Sequence, residues 1–320
     1  MTTLFNKINQ QFLATNKILI ISHQKPDSDA IGSALALNYY LKSLGKESYI
    51  FLADQLPTYF DFLPGLENIT ADRQVFQEKL DLVVVLDSSN LEHTKVNKEE
   101  LNGCQIINID HHFSNDSYGD INYINDLASS TCEIIYKFLV EVKSEITRNM
   151  ATCLLCGILG DTGGFSNSAT TVDSIKISST LINYGAKIYK INNQVEKNKT
   201  INGLRLWGDV LSRLQIDDES KIAFTYIKEA EYQKYKIQEE ELDGLINFLN
   251  VITDVSISSL FKINGSYTKV SLRTTKDNID VSKIAQFYGG GGHKKAAGFT
   301  LNHTLDERTC DFVSYLKNTS

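Results

Sequence analysis

The chain has 320 residues, of which 42% are hydrophobic and 22% are charged, so it is long enough for two domains with hydrophobic cores of their own. Its net charge of −7 argues against sequence-independent binding of duplex nucleic acid, which needs a basic surface, but leaves room for a small phosphorylated ligand. Its longest apolar runs, such as Cys153–Leu159, are far shorter than the roughly 20 residues of a transmembrane helix.

The cysteines and the N-terminal residues bear on the cellular compartment. The chain has five scattered cysteines, an odd number that is typical of a reducing compartment. Cys153 and Cys156 have the spacing of a redox or zinc pair, but no second pair exists and their neighbours are apolar, so we expect two small buried helix residues. Met1–Thr15 lacks the pattern of a signal peptide. We therefore expect a cytoplasmic protein.

A strand, a polar loop and a helix come first along the chain. The apolar run Lys17–Ile21 predicts a buried strand, and apolar residues at helical spacing predict a helix over Ala30–Leu44. His23, Asp27 and Asp29 lie between them, at the carboxyl end of the strand, where open α/β sheets bind ligands. One imidazole and two carboxylates suit a divalent cation. The alternative is that one of the aspartates only caps the helix.

Two further strands end in polar side chains. Five apolar residues at 82–86 predict a strand buried on both faces, as in a parallel sheet, and Asp87 ends it. Gln105–Ile109 predicts the next strand, which runs into Asp110–His112. Adjacent histidines after a buried strand are expected to point their side chains apart. One of them could then bind a metal ion while the other faces a substrate.

Three predicted helices complete the first half of the chain, over Ala128–Val142, Ile146–Leu159 and Val172–Tyr184. Ser129 or Ser130 is the expected N-cap of the first, with Glu133 placed for a capping box. The second ends in a Gly-Asp-Thr-Gly-Gly run, in which glycine stops the helix. Asp161 in this run is a further aspartate at the end of an element.

The second half of the chain follows a polar, partly helical linker. This second half shows the pattern of a smaller α/β domain. Strands are predicted over Lys221–Ile227, Val255–Ile263 and Tyr267–Arg273, and helices over Glu239–Val251 and Val281–Tyr288. Asn264–Ser266 is a hairpin signal between the last two strands. Gly289–Gly292 comes next, followed by His293 and two lysines. Successive glycines leave backbone amides unobstructed, so this loop is predicted to bind a phosphate, with a flexible hinge as the alternative.

In their order along the chain these motifs resemble the DHH/DHHA1 phosphoesterase superfamily, and the resemblance covers essentially the whole chain. Length and layout are most similar to the stand-alone nanoRNase and pAp-phosphatase (NrnA-like) group, whereas RecJ exonucleases are similar in the core but carry additional domains. The resemblance implies an α/β fold: an N-terminal DHH domain (1–188) with a mainly parallel sheet flanked by helices, a helical linker (189–212), and a smaller α/β DHHA1 domain (213–320). The active site is expected in the interdomain cleft.

The same resemblance implies a site with two divalent cations, usually Mn²⁺, with Mg²⁺ or Co²⁺ as alternatives. One ion would be held by His23, Asp27 and Asp87, and the other by Asp29, Asp87, His111 and Asp161. Asp87 would then bridge the ions, and His112 would face the scissile phosphate. The residues implied in substrate binding are Arg273, Gly290, Gly291, Gly292 and His293.

The function implied is hydrolysis of short single-stranded RNA or DNA oligonucleotides, pApA included, to nucleoside 5′-monophosphates, with removal of phosphate from pAp as a side activity. A manganese-dependent pyrophosphatase or exopolyphosphatase is the first alternative, and the loop at Gly289–Gly298 argues against it. A dinucleotide sensor without turnover is the second, and the full ligand set argues against that. The preferred substrate is left open, as is a homodimer, and no membrane partner is expected.

Overall fold

The computed structural model describes residues 3–196, 199–237, 239–242 and 244–303. The chain forms two compact units, Met1–Lys197 and Asn198–Ser320. The predicted linker at 189–212 contains the junction of these units, while the predicted domain bounds themselves stay a prediction. Cys310 lies outside the described residues. No helix in the described ranges is both long enough and apolar enough to cross a membrane.

The first unit is built on a parallel sheet, as the sequence predicted. Its strands, within the described residues, are β1 (Lys17–Ile21), β2 (Glu47–Phe51), β3 (Ile69–Thr70), β4 (Leu82–Leu86), β5 (Gln105–Asp110) and β6 (Ile121–Ile124). They pair in the order β3-β2-β1-β4-β5-β6, and every pairing is parallel. The helices are α1 (Leu4–Ala14), α2 (Ser28–Ser43), α3 (Thr131–Glu141), α4 (Arg148–Asp161), α5 (Val172–Asn183) and α6 (Ile188–Glu196).

Alternate residues of the central strands face two different cores. On β1, Ile18 and Ile20 pack into the core shared with the helices, while Leu19 and Ile21 pack into a second core on the opposite face. The second core is closed by short 3-10 segments that include Val75 and Phe76 rather than by long helices. Burial of both faces explains why the strands read as continuous apolar runs.

Helices α2 and α4 pack closely against each other, and glycine in α4 permits this. A Cβ atom at Gly160 would overlap the Ser28 side chain, and one at Gly157 would overlap Cys132 Sγ and come within 2.7 Å of Asp29 Oδ1. The close approach therefore brings the start of α2 beside the end of α4. The two cysteines predicted as small buried helix residues, Cys153 and Cys156, are free, buried and in α4.

The second unit has a mixed sheet of its own. Its strands in the described ranges are β7 (Gln215–Asp217), β8 (Ile222–Lys228), β9 (Ile257–Ile263), β10 (Thr268–Arg273), β11 (Gly291–His293) and β12 (Ala296–Leu301). The order is β11-β12-β10-β9-β8-β7, with β8–β9 parallel and the other pairs antiparallel. The helices are α7 (Ile201–Ser212), α8 (Glu229–Tyr235), α9 (Leu245–Phe248) and α10 (Val281–Phe287).

Two predictions for the second unit were wrong. The helix predicted over Glu239–Val251 is interrupted, because Gly244 has a φ of 86°, in the left-handed region that ends a right-handed helix. Only α9 is α-helical there, with 3-10 turns over Glu239–Leu242 and Leu249–Val251. The glycine-rich stretch is not an open loop either, since its second half is the edge strand β11.

Candidate active site

Parallel pairing brings the carboxyl ends of β1, β4 and β5 to one edge of the first sheet. The polar residues that follow these strands therefore meet there: His23 after β1, Asp87 after β4, and Asp110, His111 and His112 at the end of β5. Asp29 lies in the first turn of α2, and Asp161 is the last residue of α4. All six predicted metal ligands fall into groups whose ligand atoms lie within 4.8 Å of one another.

The first group consists of His23, Asp27 and Asp87. His23 Nε2 lies 3.8 Å from Asp27 Oδ1 and 3.4 Å from Asp87 Oδ2. The other ring nitrogen, Nδ1, is 2.8 Å from the carbonyl oxygen of Gln24. Because a carbonyl can only accept, Nδ1 carries the proton and Nε2 is the nitrogen suited to a metal. Asp27 also caps α2, by accepting hydrogen bonds from the amides of Asp29 and Ala30, and this role is compatible with a place in the group.

The second group consists of Asp29, His111 and Asp161. His111 Nε2 lies 3.2 Å from Asp161 Oδ2. Both oxygens of Asp29 accept hydrogen bonds from the start of α3, from the amides of Thr131 at 2.6 Å and Cys132 at 2.8 Å. The helix N-terminus thus fixes the orientation of a fully buried carboxylate.

Asp87 lies between the two groups. Its Oδ2 faces His23, while its Oδ1 is 3.5 Å from His111 Nε2 and accepts a hydrogen bond from Thr131 Oγ1 at 3.3 Å. The side chain is only 2% exposed, and the backbone has a φ of 54°, in the left-handed region that non-glycine residues rarely adopt. One carboxylate therefore contacts a histidine of each group.

His112 is oriented by a residue that the sequence analysis did not include in the site. Asp110, which is fully buried, accepts a hydrogen bond from His112 Nδ1 at 2.7 Å. Asn115 donates from Nδ2 to the other Asp110 oxygen at 2.6 Å. The two adjacent histidines do not point apart as predicted: their ring centroids are 4.5 Å apart, and both rings contact Asp87. The position of Asp110 directly before the two histidines could have indicated a role in the site. The hydrogen bonds that Asp110 forms, however, depend on the tertiary fold.

Burial and like charges make the carboxylates of this cluster unequal. Burial, with a further contribution from the charge of Asp87, raises the pKa of Asp29 to about 7. Burial and the charge of Asp29 raise the pKa of Asp161 well above its usual range. For Asp87, the hydrogen bonds of His111 and His23 outweigh burial and hold its pKa well below its usual range. The central carboxylate is thus the one that stays ionised.

The histidines respond to the same charges. Burial lowers the pKa of His23, but the hydrogen bonds and charges of Asp27 and Asp87 outweigh it and raise the pKa to about 12. The pKa of His111 is likewise raised well above its usual value, because Asp87 and Asp161 outweigh burial. Across the described ranges, no lysine or arginine forms an ion pair with Asp29, Asp87 or Asp161. Among the described side chains, imidazolium rings therefore supply the positive charge next to these carboxylates.

The donor set fits divalent cations. It consists of imidazole nitrogens and carboxylate oxygens with no thiolate, a mixture suited to hard and borderline ions. Two such ions would replace protons on the histidines and relieve the repulsion among buried carboxylates. The residues present therefore fit a metal centre of the kind that the sequence predicted.

In the second unit, Arg273 and His293 are brought into one row of the sheet. Both pair with Ala296, one from β10 and the other from β11, so their side chains lie on the same face with a small residue between them. Arg273 Nε donates to Asn247 Oδ1 at 2.7 Å. Among the described residues no carboxylate forms an ion pair with Arg273, which leaves its guanidinium able to bind an anion.

The glycine-rich stretch differs from the predicted concavity of four open amides. Gly289 N–H donates to Gln286 O at 3.0 Å, and Gly290 N–H donates to Ala285 O at 2.8 Å. These two amides end α10, so they are not available to a phosphate. Gly291, Gly292 and His293 belong to β11, which is the end strand of the sheet in the described part of the chain.

Comparison with protein families matches both halves of the chain. The model of the DHH family, N-terminal domain, matches residues 17–158, and that of the DHHA1 domain matches residues 219–319. The chain is 31% identical over 284 residues to the bifunctional oligoribonuclease and PAP phosphatase NrnA of Thermus thermophilus, covering 89% of this chain and 84% of the relative. Its identity to the Bacillus subtilis protein of the same name is 28%, over 91% and 90% of the two chains.

Solved structures share the fold. An exopolyphosphatase-related protein from Bacteroides fragilis superposes with a TM-score of 0.88 at 24% identity, covering 99% of this chain and 95% of that chain. RecJ from Thermus thermophilus, in complex with Mn²⁺, superposes with a TM-score of 0.55 at 12% identity, covering 99% of this chain and 53% of RecJ. At these identities the similarity shows the two-domain fold alone.

Proposed function

Because this chain belongs to the DHH family of phosphoesterases, we propose that it hydrolyses short oligoribonucleotides to nucleoside 5′-monophosphates and pAp to AMP and phosphate. The observation that carries the proposal is the position of Asp87, a buried carboxylate in contact with a histidine of each ligand group. The activities for which the relatives at about 30% identity are named favour oligonucleotides and pAp over the pyrophosphatase alternative. A sensor without turnover would have no use for such a ligand set.

We assign the ligands as the family resemblance implies. His23, Asp27 and Asp87 would hold one ion, and Asp29, Asp87, His111 and Asp161 would hold the other. Asp29 can take part although both its oxygens accept amide hydrogen bonds, since each oxygen has a second lone pair. We propose Mn²⁺ as the ion, because carboxylates outnumber imidazoles in the set, with Mg²⁺ and Co²⁺ as alternatives. When bound, the two ions would neutralise phosphoryl oxygens and make a water nucleophilic at neutral pH.

The role of His112 follows from its partner. Burial lowers the pKa of His112, but the hydrogen bond from its ring to Asp110 and the charge of Asp87 outweigh burial and raise it. Asp110 holds the proton on Nδ1, so Nε2 is the ring nitrogen that reaches a substrate oxygen. Protonated His112 then stabilises negative charge on the scissile phosphate and donates its Nε2 proton to the leaving oxygen. Asp110 and Asn115 act on the substrate only through His112.

We propose that the second unit binds a substrate phosphate through Arg273. The guanidinium has several donors and no carboxylate partner among the described residues, and Asn247 fixes its orientation through Nε. His293 lies on the same face of the sheet and would assist. Successive amides of a strand point to opposite sides, so one of Gly291 and Gly292 would donate an outward backbone amide of β11 to the phosphate. Gly290 would act only by allowing a close approach to β12.

The compartment and the wider substrate range are also part of this proposal. Short single-stranded DNA and pApA belong to the same chemical class as the substrates in the relatives' names. The free thiols of Cys104, Cys132, Cys153 and Cys156 suit the reducing cytoplasm. A homodimer stays a prediction.

A single product analysis tests the proposed function. The purified chain, with and without Mn²⁺, is given pApA, a five-nucleotide RNA, pAp, cyclic di-AMP and pyrophosphate in parallel. We expect metal-dependent release of AMP from pApA and pAp and of nucleoside monophosphates from the RNA. Orthophosphate from pyrophosphate alone would assign the chain to the pyrophosphatases. Tight binding of dinucleotide without turnover in any metal would support a sensor.

A further inference from the structure

An aromatic side chain lies exposed directly beside the histidine of the active site. Phe113 follows His112 in the chain, and 84% of its surface is accessible. It occupies the second position of a tight turn, which Asn115 N–H closes by donating to His112 O at 3.2 Å. Within the described part of the chain, Phe113 contacts no other aromatic ring and belongs to neither core of the first unit. Packing within the fold therefore does not explain this ring.

The turn that carries Phe113 is anchored to two strand ends. Asn115 Nδ2 donates to Asp110 Oδ2 at 2.6 Å and to Ser88 O at 3.0 Å, just beyond β4. Asp116 N–H donates to Ser89 O at 2.9 Å. The backbone under Phe113 is thus held by the same hydrogen bonds that orient Asp110. An exposed ring on a fixed backbone loses little entropy when a ligand packs on it.

A second exposed apolar side chain lies on the neighbouring loop. In the pairing of β5 with β6, Asp110 is opposite Ile124. Phe113 lies three residues after Asp110, and Leu127 lies three residues after Ile124. Leu127 is 82% exposed, and Asn125 fixes its turn by donating its N–H to Asp110 O at 3.0 Å. Two apolar side chains therefore flank the same edge of the sheet as the ligand groups.

We propose that Phe113, with Leu127 on the neighbouring loop, is the platform on which a base of the substrate stacks. The inference rests on the proposed function, since any nucleotide substrate whose scissile phosphate lies at His112 must hold a base within one nucleotide of that phosphate. Every base has a π-face, so an aromatic platform tolerates all sequences. It also provides affinity in a chain whose net charge of −7 offers no broad electrostatic attraction for a polyanion.

The experiment compares substrates with and without the base. Wild type and Phe113→Ala are assayed with pApA and with two analogues in which one or the other adenine is replaced by hydrogen. We expect Phe113→Ala to lower kcat/KM for pApA roughly 5- to 100-fold, mainly through KM. The loss should disappear for the analogue that lacks the stacked base. Because Phe113 is exposed, the substitution should not disturb folding, and the Mn²⁺-dependent shift in Tm should match that of wild type.

Matched variants separate stacking from other effects. Phe113→Tyr keeps the ring and should restore the wild-type kcat/KM, whereas Phe113→Leu should restore only part of it. Val140→Ala removes an apolar side chain that is 51% exposed on α3, outside the site, and should change nothing. An equal loss on pApA and on both analogues would overturn the proposal, because Phe113 would then act on the position of His112. No loss on any substrate would overturn it as well.

The design also distinguishes failure of the platform from failure of the proposed function. If wild type hydrolysed none of these substrates, the proposed function would fall. Binding of pApA and the analogues by calorimetry would then still test Phe113. A weaker affinity of Phe113→Ala for pApA alone would support the platform, and equal affinities of wild type and variant would overturn it.

Discussion

The two units hold their functional side chains in opposite ways. In the first unit Asp29 and Asp87 are buried, close to other carboxylates, and each is hydrogen-bonded to the protein. In the second, Arg273 and His293 lie on one face of a sheet, and the hydrogen-bond partners of Arg273 within the described residues are neutral. Without cations, the burial of several neighbouring carboxylates in the first unit costs electrostatic free energy, and bound cations would remove that cost. The side chains of the second unit need no ion to be stable. Metal binding should therefore stabilise the first unit and leave the second unaffected.

The largest expected effect comes from the residue that both ligand groups share. Asp87→Asn keeps the shape but removes the charge, so we expect roughly 10³-fold or greater loss of Mn²⁺-dependent turnover. The Mn²⁺-dependent rise in Tm should disappear too. Asp218→Asn, at a side chain that is 96% exposed, is the control and should behave as wild type. Near-normal activity of Asp87→Asn would refute its bridging role.

A smaller effect is expected at the proton donor. His112→Gln removes the proton but leaves the predicted ligands in place, so kcat should fall roughly 10²- to 10³-fold while the Mn²⁺-dependent shift in Tm is kept. Asp110→Asn should lose less activity and should lower the pKa of the acidic group in the pH profile of kcat. Loss of the Tm shift in His112→Gln would instead make His112 a metal ligand.

In the second unit the effect should appear in substrate binding. Arg273→Ala removes a charged hydrogen-bond donor to phosphate, and we expect KM for pApA to rise roughly 10- to 100-fold with kcat little changed. Arg273→Lys should recover only part of the affinity, because an ammonium lacks the planar fork. The Mn²⁺-dependent Tm shift should be that of wild type. An unchanged KM would remove Arg273 from the site.

The smallest effect concerns pH. Without metal the pKa of His23 is raised to about 12, so the ring is protonated at neutral pH and must lose that proton to bind an ion. Protons therefore compete with Mn²⁺, and the Kd should fall as pH rises, by about tenfold per unit for each proton displaced. Titration calorimetry in buffers of different ionisation enthalpy would count the protons. His23→Gln should release fewer of them, and equal numbers in both proteins would contradict the assignment.

The sequence predicts which strand ends meet in the first unit, because the strands are marked by local signals. The runs at Lys17–Ile21 and 82–86 define strands by themselves, and the residues after such strands must meet once the sheet is parallel. The contributions of Thr131 and Asn115 could not be predicted in this way, because Thr131 bonds to Asp87 and Asn115 bonds to Ser88 O as well as to Asp110, and both Asp87 and Ser88 are distant in the chain. Nothing in their local sequence indicates those partners.

The structure of the second unit was harder to predict from sequence for a related reason. Whether Gly291–His293 is a loop or a strand depends on its pairing with β12, which lies later in the chain. The helix predicted across Gly244 followed the apolar pattern correctly on both sides, but tertiary packing favoured a left-handed turn at the glycine. The local spacing of apolar residues indicates neither the strand at Gly291–His293 nor the turn at Gly244.

The close packing of α2 on α4 has a consequence for genetic screens. A methyl group at Gly157 would have to displace Cys132 Sγ and the carboxylate of Asp29, although Gly157 itself has no functional group. Alleles that inactivate the enzyme without removing the protein should therefore be recovered at this glycine as well as at the predicted ligands. A survey of natural variants that scores only charged and imidazole side chains would overlook this position, where the packing against Asp29 and Cys132 leaves no room for a side chain.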